Sequence, residues 1–87
     1  MLHEKRDVLV VDTDVFSLRL MKQVLELEDF RVSVADSGGA ALSALEQVHP
    51  RLVLLDLMMP DMEGYAVCRR IREFSDVPVI MVTARRG

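Results

Sequence analysis

Two aspartates in this chain directly follow runs of apolar residues, and this position makes them candidates for chemistry. Asp12 ends the stretch "VLVVD", and Asp56 ends the stretch "LVLLD". A third apolar run, "VIMV", is followed by the hydroxyl of Thr83. In an open sheet of parallel strands, ligands bind outside the carboxyl ends of the strands, so we expect these three side chains at one edge.

The chemistry that fits such an edge is phosphoryl transfer assisted by a metal ion. Carboxylates that crowd together repel one another, and a hard divalent cation such as Mg²⁺ relieves that repulsion. A carboxylate beside such a cation, with a hydroxyl close by, is suited to accept a phosphoryl group as an acyl phosphate. The sequence therefore predicts a magnesium-dependent phosphoacceptor site.

The apolar runs that lead to these residues predict the strands of a parallel sheet. They cover residues 8–11, 52–55 and 77–82, and none of them contains a polar residue. Continuous apolar strands are typical of a sheet that is buried on both faces. A fourth run, at residues 31–35, alternates apolar and polar residues, which predicts a strand with one less buried face.

The segments between these strands have the periodicity of helices, at about residues 14–28, 38–48 and 65–74. Alternating strands and helices indicate right-handed crossovers and an α/β fold with a parallel sheet of four strands and three helices. In the first helix the apolar residues cover more than half of the circumference. Because one sheet face needs less than that, the first helix is expected to have a further neighbour.

Composition limits the classes of protein to which the chain can belong. Its 87 residues allow one small domain, residues 1–87, and 51% of them are hydrophobic. The net charge of -3 and the scattered basic residues argue against a nucleic-acid surface. The single cysteine, Cys68, excludes an intramolecular disulfide framework. No apolar run approaches the ~18 residues of a membrane helix, so we expect a cytoplasmic protein without membrane contact.

Three stretches, "VLVVDTD", "LVLLDLMMPDMEG" and "VPVIMVTA", resemble the receiver domain of two-component response regulators in their order and spacing. The most specific part is the pattern D-x-x-M-P-x-x-x-G from Asp56 to Gly64. The resemblance covers residues 7–84. It implies a flavodoxin-like fold with strand order 2-1-3-4-5, here truncated before the last helix, strand and helix.

The resemblance also implies a role for each residue that matches the family pattern. Asp56 is then the phosphoacceptor, and Asp12 is an acidic residue of the Mg²⁺ site. Met58 offers its backbone carbonyl to the metal, and Thr83 is the switch hydroxyl that meets the phosphoryl group. The implied partner is a sensor histidine kinase or a phosphotransfer protein, and the chain is a signalling module and not an enzyme.

The sequence departs from the family pattern in two places. Thr13 stands where the family usually has a second acid that binds the metal, and its neutral hydroxyl predicts weaker Mg²⁺ binding. Asp14, one residue further on, is expected to cap the first helix. The strand that ends in the family's lysine is missing from residues 1–87, so we expect impaired phosphorylation. The fourth strand is then an uncovered edge, which predicts self-association.

Two alternative functions fit parts of the sequence. The stretch "VVDTDVF" resembles the opening motif of haloacid dehalogenase-like phosphohydrolases, with Asp12 as the nucleophile and Asp14 as the acid and base. This alternative leaves the pattern from Asp56 to Gly64 unexplained. The other alternative is a binding module that keeps the receiver fold and works without phosphorylation.

Overall fold

Strands and helices alternate along residues 6–56 and 64–82, which are the residues that this computed structural model describes. The elements are β1 (Arg6–Val11), α1 (Val15–Leu27), β2 (Phe30–Ala35), α2 (Gly38–Val48), β3 (Leu52–Asp56), α3 (Gly64–Arg72) and β4 (Val79–Val82).

The four strands form one parallel sheet in the order β2-β1-β3-β4. β1 lies inside the sheet, where Val8 pairs with Val32 of β2 on one side and with Leu52 of β3 on the other. The predicted α/β fold with a flavodoxin-like strand order is therefore confirmed for these four strands.

The two faces of the sheet are covered unequally. Helices α2 and α3 cover one face, and the larger cluster of buried side chains lies beneath them: Leu9, Val11, Ala35, Ala41, Leu45, Val53, Leu55, Val67 and Ile71. Helix α1 covers the other face and packs mainly over β2 and β1. The smaller cluster lies beneath it: Val8, Val10, Leu18 and Val32.

Because α1 packs over β2 and β1, the other half of the same face is less covered. Leu54 of β3 packs against the cluster under α1, and its register partner on β4 is Ile80. Ile80 and Val82 are 52% and 40% exposed, while Val79 packs on the opposite face. β4 is thus half-buried on one face and exposed on the other among the described residues, in contrast to the prediction of a strand buried on both.

Some predicted boundaries differ from those of the structure. β4 begins at Val79 and not at residue 77, because Pro78 has no N–H for the ladder; its carbonyl accepts the Val53 N–H at 2.9 Å. α3 ends at Arg72, two residues early, and Phe74 lies in the turn beyond it, 54% exposed. Among the described residues, no helix has the length and apolar character that crossing a membrane requires.

Candidate functional site

The register of the sheet brings the two predicted aspartates next to each other. Val11 of β1 pairs with Leu55 of β3, and Asp12 and Asp56 are the residues that follow this pair. Neighbouring strands lie about 4.8 Å apart, so the two aspartates share the carboxyl edge of the sheet. Both are half-buried. The other two predicted site residues, Met58 and Thr83, lie outside the described residues.

Backbone groups hold Asp12 at the end of β1. Its own N–H donates to the carbonyl of Ala35 at the end of β2, at 3.1 Å. Its carboxylate Oδ1 accepts the N–H of Asp14 at 3.0 Å. These two bonds fix the position of the Asp12 backbone and limit the rotation of its carboxylate. Sequence reasoning missed both, because each depends on the path of the chain after the strand.

Asp14 is the N-cap of α1, as the sequence predicts. Its Oδ1 accepts the N–H of Phe16 at 3.0 Å, and its Oδ2 accepts the hydroxyl of Ser17 at 3.0 Å. Both carboxylate oxygens therefore serve the start of the helix. The arrangement argues against a second metal-site acid at this position. It also argues against Asp14 as the acid and base of a phosphohydrolase whose nucleophile is Asp12.

The side chains at the carboxyl edge of the sheet offer ligands of the kind that Mg²⁺ binds, but few of them carry a negative charge. Asp12 and Asp56 supply carboxylate oxygens, which are the ligands that Mg²⁺ prefers, and Thr13 beside them is neutral. Among residues 6–56 and 64–82, no group of three or more His, Cys, Asp or Glu side chains is placed to hold a metal ion. The carbonyl predicted as a further ligand belongs to Met58, outside the described range.

A further acid lies at the same edge and was not predicted as part of the site. Ala35 pairs with Val11, so Asp36 follows β2 beside the position of Asp12. Asp36 is exposed, and α2 begins with Ser37 as its N-cap, whose hydroxyl oxygen accepts the Ala40 N–H at 3.0 Å. Asp36 lies there because of the register in which β2 pairs with β1. That register cannot be read from the sequence.

Comparison with protein families gives one match along almost the whole chain. The model described as "Response regulator receiver domain" matches residues 8–87. This range includes the pattern from Asp56 to Gly64, which the phosphohydrolase alternative leaves unexplained.

Curated relatives and solved structures agree with this match. The chain is 43% identical over 81 residues to a "Probable transcriptional regulator ycf27" of Porphyridium aerugineum, covering 93% of this chain and 34% of the relative. It is also 43% identical to the "DNA-binding response regulator MtrA" of Mycolicibacterium paratuberculosis, covering 93% of this chain and 36% of that protein. The chain thus spans about a third of the length of these relatives.

A solved structure provides a comparison of the fold. The N-terminal domain of a response regulator receiver protein from Methanoculleus marisnigri JR1 has a TM-score of 0.87 and 37% sequence identity. The alignment covers 93% of this chain and 68% of that one.

Proposed function

The chain belongs to the response regulator receiver domain family, and on that premise we propose that it accepts a phosphoryl group on Asp56 from a sensor histidine kinase or a phosphotransfer protein. Members of this family are signalling modules and not classical enzymes. The observation that carries the proposal is the register of β1 and β3, which sets Asp56 beside Asp12 at the carboxyl edge of the sheet.

The proposed step is the transfer of one phosphoryl group from nitrogen to oxygen. A carboxylate oxygen of Asp56 attacks the phosphorus of a phosphohistidine on the donor protein. The new bond joins that oxygen to phosphorus, and the phosphorus–nitrogen bond breaks. The electron pair of the broken bond stays on the imidazole of the donor, which takes up a proton from water. Asp56 ends the step as an acyl phosphate.

Mg²⁺ is proposed as the cofactor, held by Asp12, Asp56 and the backbone carbonyl of Met58. When bound, the ion offsets the negative charge of the phosphoryl oxygens and of the two carboxylates. The residues of the chain do the positioning. The Asp14 N–H and the Ala35 carbonyl hold Asp12 in place, and Thr83 is proposed to offer its hydroxyl to the phosphoryl group.

We propose that Thr13 weakens the metal site. A neutral hydroxyl replaces a carboxylate there, and Asp14 does not compensate because both of its carboxylate oxygens cap α1. Divalent-cation affinity depends on the number of charged ligands. Phosphorylation of this chain is therefore expected to need more Mg²⁺ than a site with three acids.

Two partners are proposed, one from the family to which the chain belongs and one from the position of β4 in the sheet. The donor of the phosphoryl group is the principal partner. A second copy of the chain is proposed to pair with β4, the outer strand of the described sheet, because an outer strand can pair with a strand of another molecule. The module is proposed to act in the cytoplasm, where the lone Cys68 stays reduced.

The names of the relatives support a place in transcriptional regulation. One is a probable transcriptional regulator, and the other is a DNA-binding response regulator. We propose that residues 1–87 form one domain that acts as the phosphorylation-dependent input of such a regulator. The basic residues of this segment are scattered along the sequence, so the segment itself is not proposed to contact nucleic acid.

Labelling with a small phosphoryl donor tests the proposal. The chain is incubated with acetyl phosphate and Mg²⁺, and the modified aspartate is mapped by mass spectrometry after trapping the acyl phosphate. Modification of Asp56 is expected, with none in Asp56→Asn. Modification of Asp12 would instead support the phosphohydrolase alternative, and a partner complex indifferent to Asp56→Asn would support the binding-module alternative.

A further inference from the structure

A cleft lies between the C-terminal ends of α2 and α3, at the end of the sheet opposite Asp56. Its volume is about 480 Å³, which is within the roughly 300–1,000 Å³ of small-molecule sites. Pro50 and Ser75 lie in the turns that lead into β3 and β4, so the cleft is at the amino edge of the sheet. The described residues that line it are Leu45, Glu46, His49, Pro50, Phe74 and Ser75.

The cleft combines apolar side chains with an accessible aromatic ring. Leu45 and Pro50 are buried, whereas Phe74 is 54% exposed. Hydrogen bonds fix the turn that carries Phe74. The Ser75 N–H donates to the carbonyl of Ile71 at 2.9 Å, and the Ser75 carbonyl accepts a bond from α3 at 3.0 Å. The ring of Phe74 is therefore held at the cleft, and the face of such a ring attracts cations.

The end of α2 leaves two backbone carbonyls without their usual donors. The carbonyl of Glu46 pairs, in a continuing helix, with the N–H of the residue four positions on, but that residue is Pro50, which has no N–H. The N–H in the matching position for Gln47 belongs to Arg51 and donates instead to the carbonyl of Asp7 at 2.7 Å. Carbonyls at a helix end carry negative partial charge, so this end of α2 favours a positively charged donor.

Side-chain charges at the end of α2 favour a cation as well. The Glu46 carboxylate forms no hydrogen bond or ion pair with residues 6–56 and 64–82. All 11 residues of α2 are described, and its last turn contains no Lys or Arg to offset the helix dipole. An acid at a helix C-terminus is unfavourable. A cation bound in the cleft offsets both the carboxylate and the dipole.

The basic residues of α3 do not supply that cation. The last turn of α3 contains Arg69, Arg70 and Arg72, but none of them belongs to the described lining of the cleft. Arg70 pairs with Glu73 at 3.5 Å, and Arg72 donates through Nη1 to the carbonyl of Ser75. The dipole of α3 is thus compensated by its own side chains, while that of α2 is not.

We propose that this cleft binds a small organic cation, a guanidinium or primary ammonium group on a short alkyl body. The alkyl body packs on Leu45 and Pro50, and the cationic group lies against the ring of Phe74. Its N–H groups donate to the Glu46 carboxylate and to the two open carbonyls at the end of α2. The site is separate from Asp56 and does not depend on the phosphorylation proposed above.

Titration with butylguanidinium, followed through the backbone amide resonances by NMR, tests the site. Saturable shifts are expected at Glu46, His49 and Ser75. Butylurea is the control ligand because it has nearly the same shape without the charge, and it is expected to bind at least about fivefold more weakly. Equal binding of butylurea, or no saturable shift at tens of millimolar butylguanidinium, would overturn the proposal.

Two substitutions measure the contributions of the lining residues. Glu46→Gln keeps the size of the side chain without its charge and is expected to weaken butylguanidinium binding about fivefold. Phe74→Leu removes the ring and is expected to weaken it about threefold. Glu28→Gln is the matched control, since it removes a carboxylate at the C-cap of α1, and it is expected to bind like the wild type. Equal losses in Glu28→Gln and Glu46→Gln would reduce the effect to net charge and refute the site.

A basic residue added to the end of α2 tests the part played by the helix. Gln47→Lys supplies the cation that the last turn of α2 lacks, so it is expected to weaken butylguanidinium binding about threefold. Gln47→Met has a similar size without the charge and is expected to bind like the wild type. Unchanged binding in Gln47→Lys would refute the placement of the cation at the end of α2.

Discussion

The two faces of the sheet differ in what they contribute to the protein. The face under α2 and α3 holds nine buried side chains, whereas the face under α1 holds four among the described residues. Burial of apolar side chains is the main source of stability, so the α2/α3 face supplies most of it. The α1 side instead carries Asp12 and Asp14 in the turn that enters the helix. Most of the apolar burial and the turn that holds Asp12 thus lie on different sides of the sheet.

The largest expected difference between the faces is in the free energy of unfolding. Leu9 is fully buried on the α2/α3 face, and Leu9→Ala is expected to cost about 2–5 kcal/mol because it leaves a cavity. The matched change Leu27→Ala on α1 removes an exposed side chain and is expected to cost less than ~0.5 kcal/mol. Urea unfolding of both variants at low protein concentration measures the difference. Equal losses of unfolding free energy in the two variants would contradict the larger contribution of the α2/α3 face to stability.

The second prediction concerns metal affinity on the α1 side. Thr13→Asp is expected to tighten Mg²⁺ binding by on the order of tenfold, about 1.4 kcal/mol, because it adds a charged ligand. Thr13→Asn is the control, since it adds a polar side chain of similar size without charge, and its affinity is expected to stay at the wild-type level. Calorimetric titration of the three proteins compares them. Equal affinity in Thr13→Asp and the wild type would refute the weakened site.

The smallest expected effect concerns Asp14, an exposed residue on the α1 side that contributes to stability through hydrogen bonds and not through burial. Asp14→Ala removes the N-cap of α1 and is expected to cost about 1 kcal/mol of unfolding free energy, whereas Asp14→Asn keeps an acceptor and is expected to cost a few tenths. Thermal unfolding followed by circular dichroism distinguishes them. If Asp14→Ala unfolds like the wild type, the hydrogen bonds at Phe16 and Ser17 contribute nothing.

Most of the fold could be predicted from local sequence signals. α2 begins and ends where predicted, at Gly38 and Val48, because Ser37 caps its start and His49 ends it in the left-handed region, with φ of 54°. The sequence predicts an end of α3 at residue 74, two residues beyond the observed end at Arg72, because Phe74 continues the apolar periodicity while the backbone has already left the helix. Periodicity alone does not distinguish an apolar residue in the helix from one in the turn after it.

The candidate site could be predicted only in part. That Asp12 and Asp56 share an edge follows from the direction of parallel strands, since both residues end apolar runs. The bond from the Asp14 N–H to Asp12 and the presence of Asp36 at the same edge depend on chain path and strand register. The packing of α1 has the same limit: the sequence gives a wide apolar arc, and only the placement of α1 over β2 and β1 decides which part of it faces the sheet.

The most direct test of the account is the rate at which acetyl phosphate modifies Asp56 across a range of Mg²⁺ concentrations in the wild type, Asp12→Asn and Asp36→Asn. Asp12 is held beside Asp56 and is proposed to bind the metal, so Asp12→Asn is expected to lose most of the Mg²⁺-dependent labelling. Asp36→Asn, the exposed acid at the same edge, is expected to label like the wild type. Labelling of Asp56 in Asp12→Asn at the wild-type rate and Mg²⁺ dependence would contradict the account.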